Sequence, residues 1–400
     1  MSVDFNREVD RRSTSDVKWR PEGLKGYLPI EVSENEIPMW IADMDFACPE
    51  CIVRAIKERA DKEIFGYCSY KQEYYDALTW WFDKRFGMKI HTDLVSMMPT
   101  VVSAINVAIR AFSNPGDKVI IQQPVYDPFA ELIKKTGRVM VNNGLICNDG
   151  LYEMDFPLLE EQAADPDAKI MILCSPHNPV GRVWTREELE RVAQVCLKYN
   201  VIWMVDEMHC DFIFPGHTFT SCMNLDEKYR QILALYSSPG KTFNVAGLQP
   251  ANIIIPNEEL RKKYQWANTQ AAYSQGSLMG QLAVKVCYTK GAEWVDELVQ
   301  YIYENVKYMS KFVKENFPKA KMVEPEGTYL VWVDFSGYGL SNEELEHLML
   351  EEAKLWLDSG IIFGPETAQF ERFNVACPRV TLEQALTQLK DALDKHLAAK

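Results

Sequence analysis

KIMILCSPHNPVGRVWTREELERVAQVCLKYNVIWMVDE, residues 169–207, decides the fold class. Its two ends, KIMILCSP (169–176) and VIWMVDE (201–207), are short continuous apolar runs. Continuous rather than alternating apolar character marks strands buried on both faces. Between them Thr185 is followed three residues later by Glu188, the spacing at which a hydroxyl and a carboxylate reciprocally satisfy the first free N–H groups of a helix. Apolar residues then recur at helical spacing as far as Lys198, so the segment predicts a crossover helix between two strands of a largely parallel α/β sheet.

Three more runs extend this pattern outward: KVIIQQP (118–124), ILALYSS (232–238) and NIIIP (252–256). The alternation holds from about residue 96 to 256. The later chain reads differently, with a helical stretch at 294–316, a strand YLVWVDF (329–335), a helix opening at Ser341, the short segment IIFG (361–364) and a last helix from Thr381. That order suits a smaller α+β domain. The first fifty or so residues carry no clear period and are expected to pack on it. The expected division is 1–50 as an N-terminal segment, 51–290 as the large domain and 291–400 as the small C-terminal domain.

The 400 residues are 47% hydrophobic and 25% charged, the composition of a folded globular chain. Lys plus Arg number 43 against 57 Asp plus Glu, a net charge of −14, which argues against nucleic acid or an anionic membrane as a general partner. No apolar run approaches the roughly 18 residues of a membrane helix, and the charged opening MSVDFNREVDRR does not read as a secretory signal. Ten scattered cysteines point to reduced thiols in the cytoplasm and no disulfide framework. Cys48 and Cys51 form a C-x-x-C without a second pair or a nearby His, and the six histidines show no ligand spacing, so no metal is expected.

In open parallel sheets ligands bind beyond the carboxyl ends of the strands. There KVIIQQP leads to Tyr126, KIMILCSP to Asn178, VIWMV to Asp206, and ILALYSS to Ser238 and Lys241. Pro99 to Ser103, containing Val101 and Val102, opens the amphipathic run AINVAIRAF, a helix start whose spare N–H groups suit a phosphate. Singly, each residue has an ordinary explanation: an Asp that caps a turn, an Asn before Pro, a lysine in an exposed loop. The ordered set is what a pyridoxal phosphate site requires.

The wording at these positions resembles the fold-type I pyridoxal-phosphate enzymes of the class I/II aminotransferase superfamily, and most of all its cystathionine β-lyase (carbon-sulfur lyase) branch. The likeness covers almost the whole chain. It is carried by RRSTSDVKW (11–19), IPMWIADMDF (37–46), IFGYCSY (64–70), PTVVSAINVAIRAF (99–112), QQPVYDPF (122–129), SPHNPVGRVW (175–184), VDEMHCDF (205–212), SSPGKTFNVAGLQ (237–249) and FERFNVACPR (370–379). The resemblance implies a large domain with a mostly parallel seven-stranded sheet flanked by helices, and a smaller α+β domain.

It also implies roles. Lys241 resembles the Schiff-base lysine that also moves the substrate Cα proton, and Asp206 the carboxylate paired with the pyridine nitrogen. Tyr126 resembles the aromatic residue stacked on the cofactor ring, Asn178 the donor to its phenolic oxygen, and His209 a neighbour of that oxygen. Ser238 and the backbone of Val101 and Val102 resemble phosphate ligands. Tyr67 resembles a tyrosine that reaches the phosphate of a neighbouring subunit, which implies a homodimer with shared sites. Arg372 resembles the clamp on the substrate α-carboxylate, with Ala42 and Asn178 beside it; Arg379 is read as structural.

Three departures stand out. Gln249 replaces a phosphate-binding Arg usual in aminotransferases, Thr367 and Gln369 replace glycines before FERFNVACPR, and Pro239 and Gly240 are an uncommon pair before the lysine. The implied activity is a β-lyase that cleaves an L-cysteine thioether, such as cystathionine, to thiol, pyruvate and ammonia. An aminotransferase acting on a 2-oxo acid is the alternative, and binding to a regulatory partner protein a third.

Overall fold

Seven strands form the larger sheet of the computed structural model, which describes residues 3–19, 36–273 and 276–399. They are β1 (Val95–Met98), β2 (Lys118–Ile121), β3 (Val139–Asn142), β4 (Ala168–Cys174), β5 (Ile202–Asp206), β6 (Leu233–Ser237) and β7 (Ala251–Ile254). Their order across the sheet is β1, β7, β6, β5, β4, β2, β3. From β6 to β3 every pairing is parallel, while β7 runs antiparallel to both its neighbours. This is the mostly parallel seven-stranded α/β sheet that the resemblance implies.

The continuous apolar runs feed two cores. Ile170, Ile172 and Met204 pack on one face with helix α1 (Val101–Phe112), and Met171, Leu173, Trp203 and Val205 on the other with helix α2 (Arg186–Tyr199). All seven of these strand side chains are buried, each worth roughly 1.5–3 kcal/mol for an aliphatic group removed from water. The expected cap of α2 is present: the Glu188 N–H donates to Thr185 Oγ1 at 3.2 Å and the Thr185 N–H to Glu188 Oε2 at 2.8 Å. Asn200, in the left-handed region with φ 56°, ends the helix.

The later chain forms a four-stranded antiparallel sheet, ordered Lys321–Met322, Leu330–Asp334, Phe370–Asn374, Asp358–Ser359. Helices Ala292–Asn316 and Arg379–Ala399 accompany it. Ile37–Pro38 pairs in parallel with Leu355–Trp356; the Asp45 N–H then donates to the Ala376 carbonyl at 2.9 Å, while the Met44 and Phe46 carbonyls accept from Asn244 Nδ2 at 2.8 and 2.9 Å. Arg11 grips Asp43 through both terminal nitrogens at 2.7 Å, and Lys18 Nζ meets Asp45 at 2.7 Å. Residues 20–35 of the expected N-terminal segment lie outside the described residues. Among the described residues no helix is long and apolar enough to cross a membrane.

Candidate active site

Because β2, β4, β5 and β6 are parallel, their carboxyl ends share one edge of the sheet, and a cavity of about 270 Å³ lies there. Tyr126, Asn178, Asp206, His209, Ser238 and Lys241 line it, together with Val101, Val102 and Ala42. Arg372 lines an adjoining cavity of about 230 Å³ that shares Ala42, Tyr126 and Lys241 with the first. The structure thus gathers every sequence-predicted site residue except Tyr67, which is 98% exposed and lies outside both cavities.

Local chemistry sets each position. Thr100 caps α1 in a reciprocal box, accepting from the Ser103 N–H at 3.0 Å while its own N–H donates to Ser103 Oγ at 3.2 Å. The N–H groups of Val101 and Val102 have no acceptor within the helix, and with the helix dipole they make this end of the cavity favourable to an anion. Ser238 caps the short turn Pro239–Thr242 that carries Lys241, accepting the Gly240 N–H at 3.0 Å and donating to the Pro250 carbonyl. A Cβ at Gly240 would stand 3.1 Å from Ser238 Oγ and 3.3 Å from Ala246 Cα, so the tightness of the turn accounts for the glycine.

Lys241 Nζ donates to the Ala42 carbonyl at 2.5 Å, and the Tyr329 hydroxyl donates to the same oxygen at 3.0 Å. Burial pulls the amine down to about 8, although Asp43 draws it back up. Asp206 is buried at the end of β5, and the one hydrogen bond to its carboxylate among the described residues comes from the Met208 N–H at 3.1 Å. Burial pushes its carboxyl up to about 7. His209 lies edge-on to Tyr329 with ring centroids 5.6 Å apart, and its Nδ1 is buried without a partner. Burial first, then the charges of Lys241 and Arg372, hold the imidazole down to about 3, so it is neutral.

Arg372 sits in Phe370–Asn374, the strand between Leu330–Asp334 and Asp358–Ser359. Nη1 donates to Asn178 Oδ1 at 2.9 Å, Nη2 to the Trp40 carbonyl at 3.0 Å, and the guanidinium pairs with Asp358, its cross-strand neighbour. Arg372 Nε is a buried donor with no partner. Gln249 adopts the left-handed conformation and is not part of the cavity lining, while Arg379 binds Asn305 Oδ1 at 2.8 Å near the head of the last helix. Sequence reasoning missed Tyr329 and Asp358. Tyr329 opens the run YLVWVDF, and only its place at a strand start could have drawn notice; a two-residue strand gives Asp358 no periodic signal.

The family model described as aminotransferase class I and II matches residues 34–389, nearly the full chain. The chain belongs to the class I and II aminotransferase family. This family member is 39% identical to the cystathionine β-lyase PatB of Bacillus subtilis, across 98% of this chain and 100% of that one. Among solved structures it is similar to cystalysin from Treponema denticola, which contains a pyridoxal 5'-phosphate cofactor, with a TM-score of 0.95, 33% identity, and 99% and 100% of the two chains covered. It is also similar to the pyridoxal-phosphate-bound C-S lyase from Staphylococcus hominis in complex with the inhibitor L-cycloserine, with a TM-score of 0.90, 31% identity and 98% of both chains covered.

Proposed function

We propose that the protein is a pyridoxal-5'-phosphate-dependent carbon-sulfur β-lyase that cleaves an L-cysteine thioether to a thiol, pyruvate and ammonia. The observation that carries this is Lys241 and Asp206 lining one cavity at the end of the parallel strands. The residues present fit the cofactor. Asp206 is a buried carboxylate with a single hydrogen bond among the described residues, and a protonated pyridine nitrogen would meet its need for a cation. The N–H groups of Val101 and Val102, with Ser238, suit the phosphate. His209 Nδ1 is an orphaned polar atom in the same cavity. When bound, the cofactor supplies an electron sink for the pair left at the substrate Cα.

In this mechanism Lys241 would hold the cofactor through its aldehyde and would carry the proton taken from the substrate Cα, a role that burial supports by drawing the amine down to about 8. Asp206 would hold the pyridine nitrogen in its protonated form, and Tyr126 would pack on the ring. Asn178, whose Oδ1 is engaged by Arg372, would have its Nδ2 donors for the phenolic oxygen, beside neutral His209. Arg372 would receive the substrate α-carboxylate, with Nε as its unpartnered donor. In the net reaction the β-carbon to sulfur bond breaks, the sulfur leaves with the bonding electron pair and takes up the proton removed from Cα to become the thiol, and one water converts the remaining three-carbon unit to pyruvate and ammonia.

Ile64, Phe65 and Tyr67 are all exposed, which supports a homodimer in which a second copy covers this stretch and Tyr67 reaches the phosphate end of the partner's cavity. The ten free thiols support a reducing cytoplasm. Division near residues 50 and 290 remains our reading of the domains. Incubating the cofactor-loaded protein with L-cystathionine, and separately with an amino acid and a 2-oxo acid, tests the assignment. Pyruvate with free thiol is expected; amino transfer to the 2-oxo acid without thiol release would overturn it.

A further inference from the structure

Residues 39–46 belong to neither helix nor strand, so their carbonyl groups gain no partners from a helix or a sheet ladder and need others. Every carbonyl from Met39 to Met44 has one. The Trp40 carbonyl accepts from Arg372 Nη2 at 3.0 Å and the Ala42 carbonyl from Lys241 Nζ at 2.5 Å. The two cations proposed to act on the substrate therefore rest two residues apart on one stretch of backbone, although one follows β6 of the larger sheet and the other lies in the four-stranded sheet.

Two asparagines hold this stretch from the same two sides. The Asn374 N–H donates to the Met39 carbonyl at 2.8 Å, and its Nδ2 to the Ile41 and Asp43 carbonyls at 2.8 and 2.7 Å. Its side-chain amide thus brackets Ala42, whose carbonyl the Tyr329 hydroxyl also fixes at 3.0 Å. Asn244 Nδ2 donates to the Met44 and Phe46 carbonyls at 2.8 and 2.9 Å, and its Oδ1 accepts the Met44 N–H at 3.1 Å. Asn374 is buried and follows Arg372 by two residues in one strand, which puts both side chains on the same face. Asn244 follows Lys241 by three residues, at a φ of 55° that asparagine tolerates better than most side chains.

An amino acid carries its Cα and its α-carboxylate on adjacent atoms, so the Lys241 amine and the Arg372 fork must keep a set separation. A misplacement of about 1 Å can cost on the order of a hundredfold in rate. We infer that residues 39–46 are the spacer that fixes this separation, with Asn244 and Asn374 as its positioning residues. The inference rests on the roles proposed above for Lys241 and Arg372 and extends them to two side chains that line neither cavity. A loosened spacer leaves each cation on its own element but out of line with the other, so the penalty falls on ligands that must engage both.

Glycine and methylamine differ only by the α-carboxylate. Equilibrium imine formation with each, read from the absorbance of the cofactor-loaded enzyme, tests the spacer without turnover. In the parent we expect glycine to be preferred by at least about tenfold. In N374A, and in N244G, which keeps the left-handed backbone accessible, that preference should shrink at least about fivefold while methylamine affinity stays within about twofold. N374S is the second substitution if N374A fails to fold. A merely structural lesion would lower the unfolding temperature and weaken both amines together. An unchanged preference at either position, or equal losses for the two amines, would overturn the inference while leaving the lyase reading intact. A parent enzyme with no preference for glycine would instead remove Arg372 from the α-carboxylate, and with it the reading on which the spacer rests.

Discussion

Arg372 Nη1 donates to Asn178 Oδ1 at 2.9 Å across 194 residues of sequence, tying the four-stranded sheet to the loop that follows β4. The same guanidinium holds Asp358 and the Trp40 carbonyl, so three separate stretches of chain meet at one side chain. In the proposed mechanism, substrate recognition and the seating of the two sheets are therefore linked.

Removing that side chain should cost both stability and activity. In R372A, Asp358 is left without its ion-pair partner in a largely buried position, and we expect a loss of about 3 kcal/mol and a fall in kcat/KM on the order of a hundredfold. Adding D358N should return most of the stability but none of the activity. Thermal unfolding and pyruvate kinetics measure both; an R372A protein as stable as the parent would refute the linkage.

Asp206 gives a pH dependence whose sign is fixed. Its folded carboxyl titrates near 7 instead of 3.8 because burial opposes the charged form. Between those values the cofactor-free folded protein holds a proton that the unfolded chain releases, so stability declines as pH rises through this window and levels off above it. D206N should remove this decline. Its stability advantage over the parent in the cofactor-free state should grow from about pH 4 to pH 7, while kcat drops a hundred- to a thousandfold, on the order of a lost preorganised charge. Parallel pH-stability curves for parent and variant would contradict it.

The start of α1 offers a contrast between side chain and backbone. T100A removes the reciprocal cap at about 1 kcal/mol, and we expect weaker cofactor binding because the N–H groups of Val101 and Val102 lose their fixed aim. V101A keeps the backbone donor and should hold cofactor affinity within about twofold. Equilibrium dialysis of the cofactor against each variant separates the two.

Tyr67, at 98% exposure, has little to contribute to the fold of its own chain, so Y67F should change unfolding stability by no more than about 0.5 kcal/mol. Cofactor affinity should nevertheless fall, and sedimentation should show a dimer. Unchanged affinity, or a monomer of full activity, would remove Tyr67 from the site.

The sequence made β4, β5 and α2 readable because residues buried on both faces leave no polar interruptions and because Thr185 and Glu188 announce the helix start. β1 and β3 escaped it. β3 is an edge strand whose Val139 is exposed and whose other three side chains are half-buried, and β1 holds Ser96 and Met97 at half-buried positions; neither has the apolar continuity of a central strand. The same division runs through the site. Asn178, Asp206 and Lys241 follow strands that could be read, so their convergence could be anticipated. Asp358 enters only through antiparallel register opposite Arg372, and Tyr329 through a hydroxyl that reaches a carbonyl 287 residues earlier, relations that exist only once the second sheet has formed.

Borohydride reduction of the cofactor-loaded protein, followed by proteolysis and mass mapping, addresses the covalent anchor itself. We expect the reduced pyridoxyl adduct on the peptide containing Lys241 and its loss in K241A. An adduct on a different lysine, or none in a protein that still releases pyruvate from L-cystathionine, would contradict the assignment of this cavity as the catalytic centre.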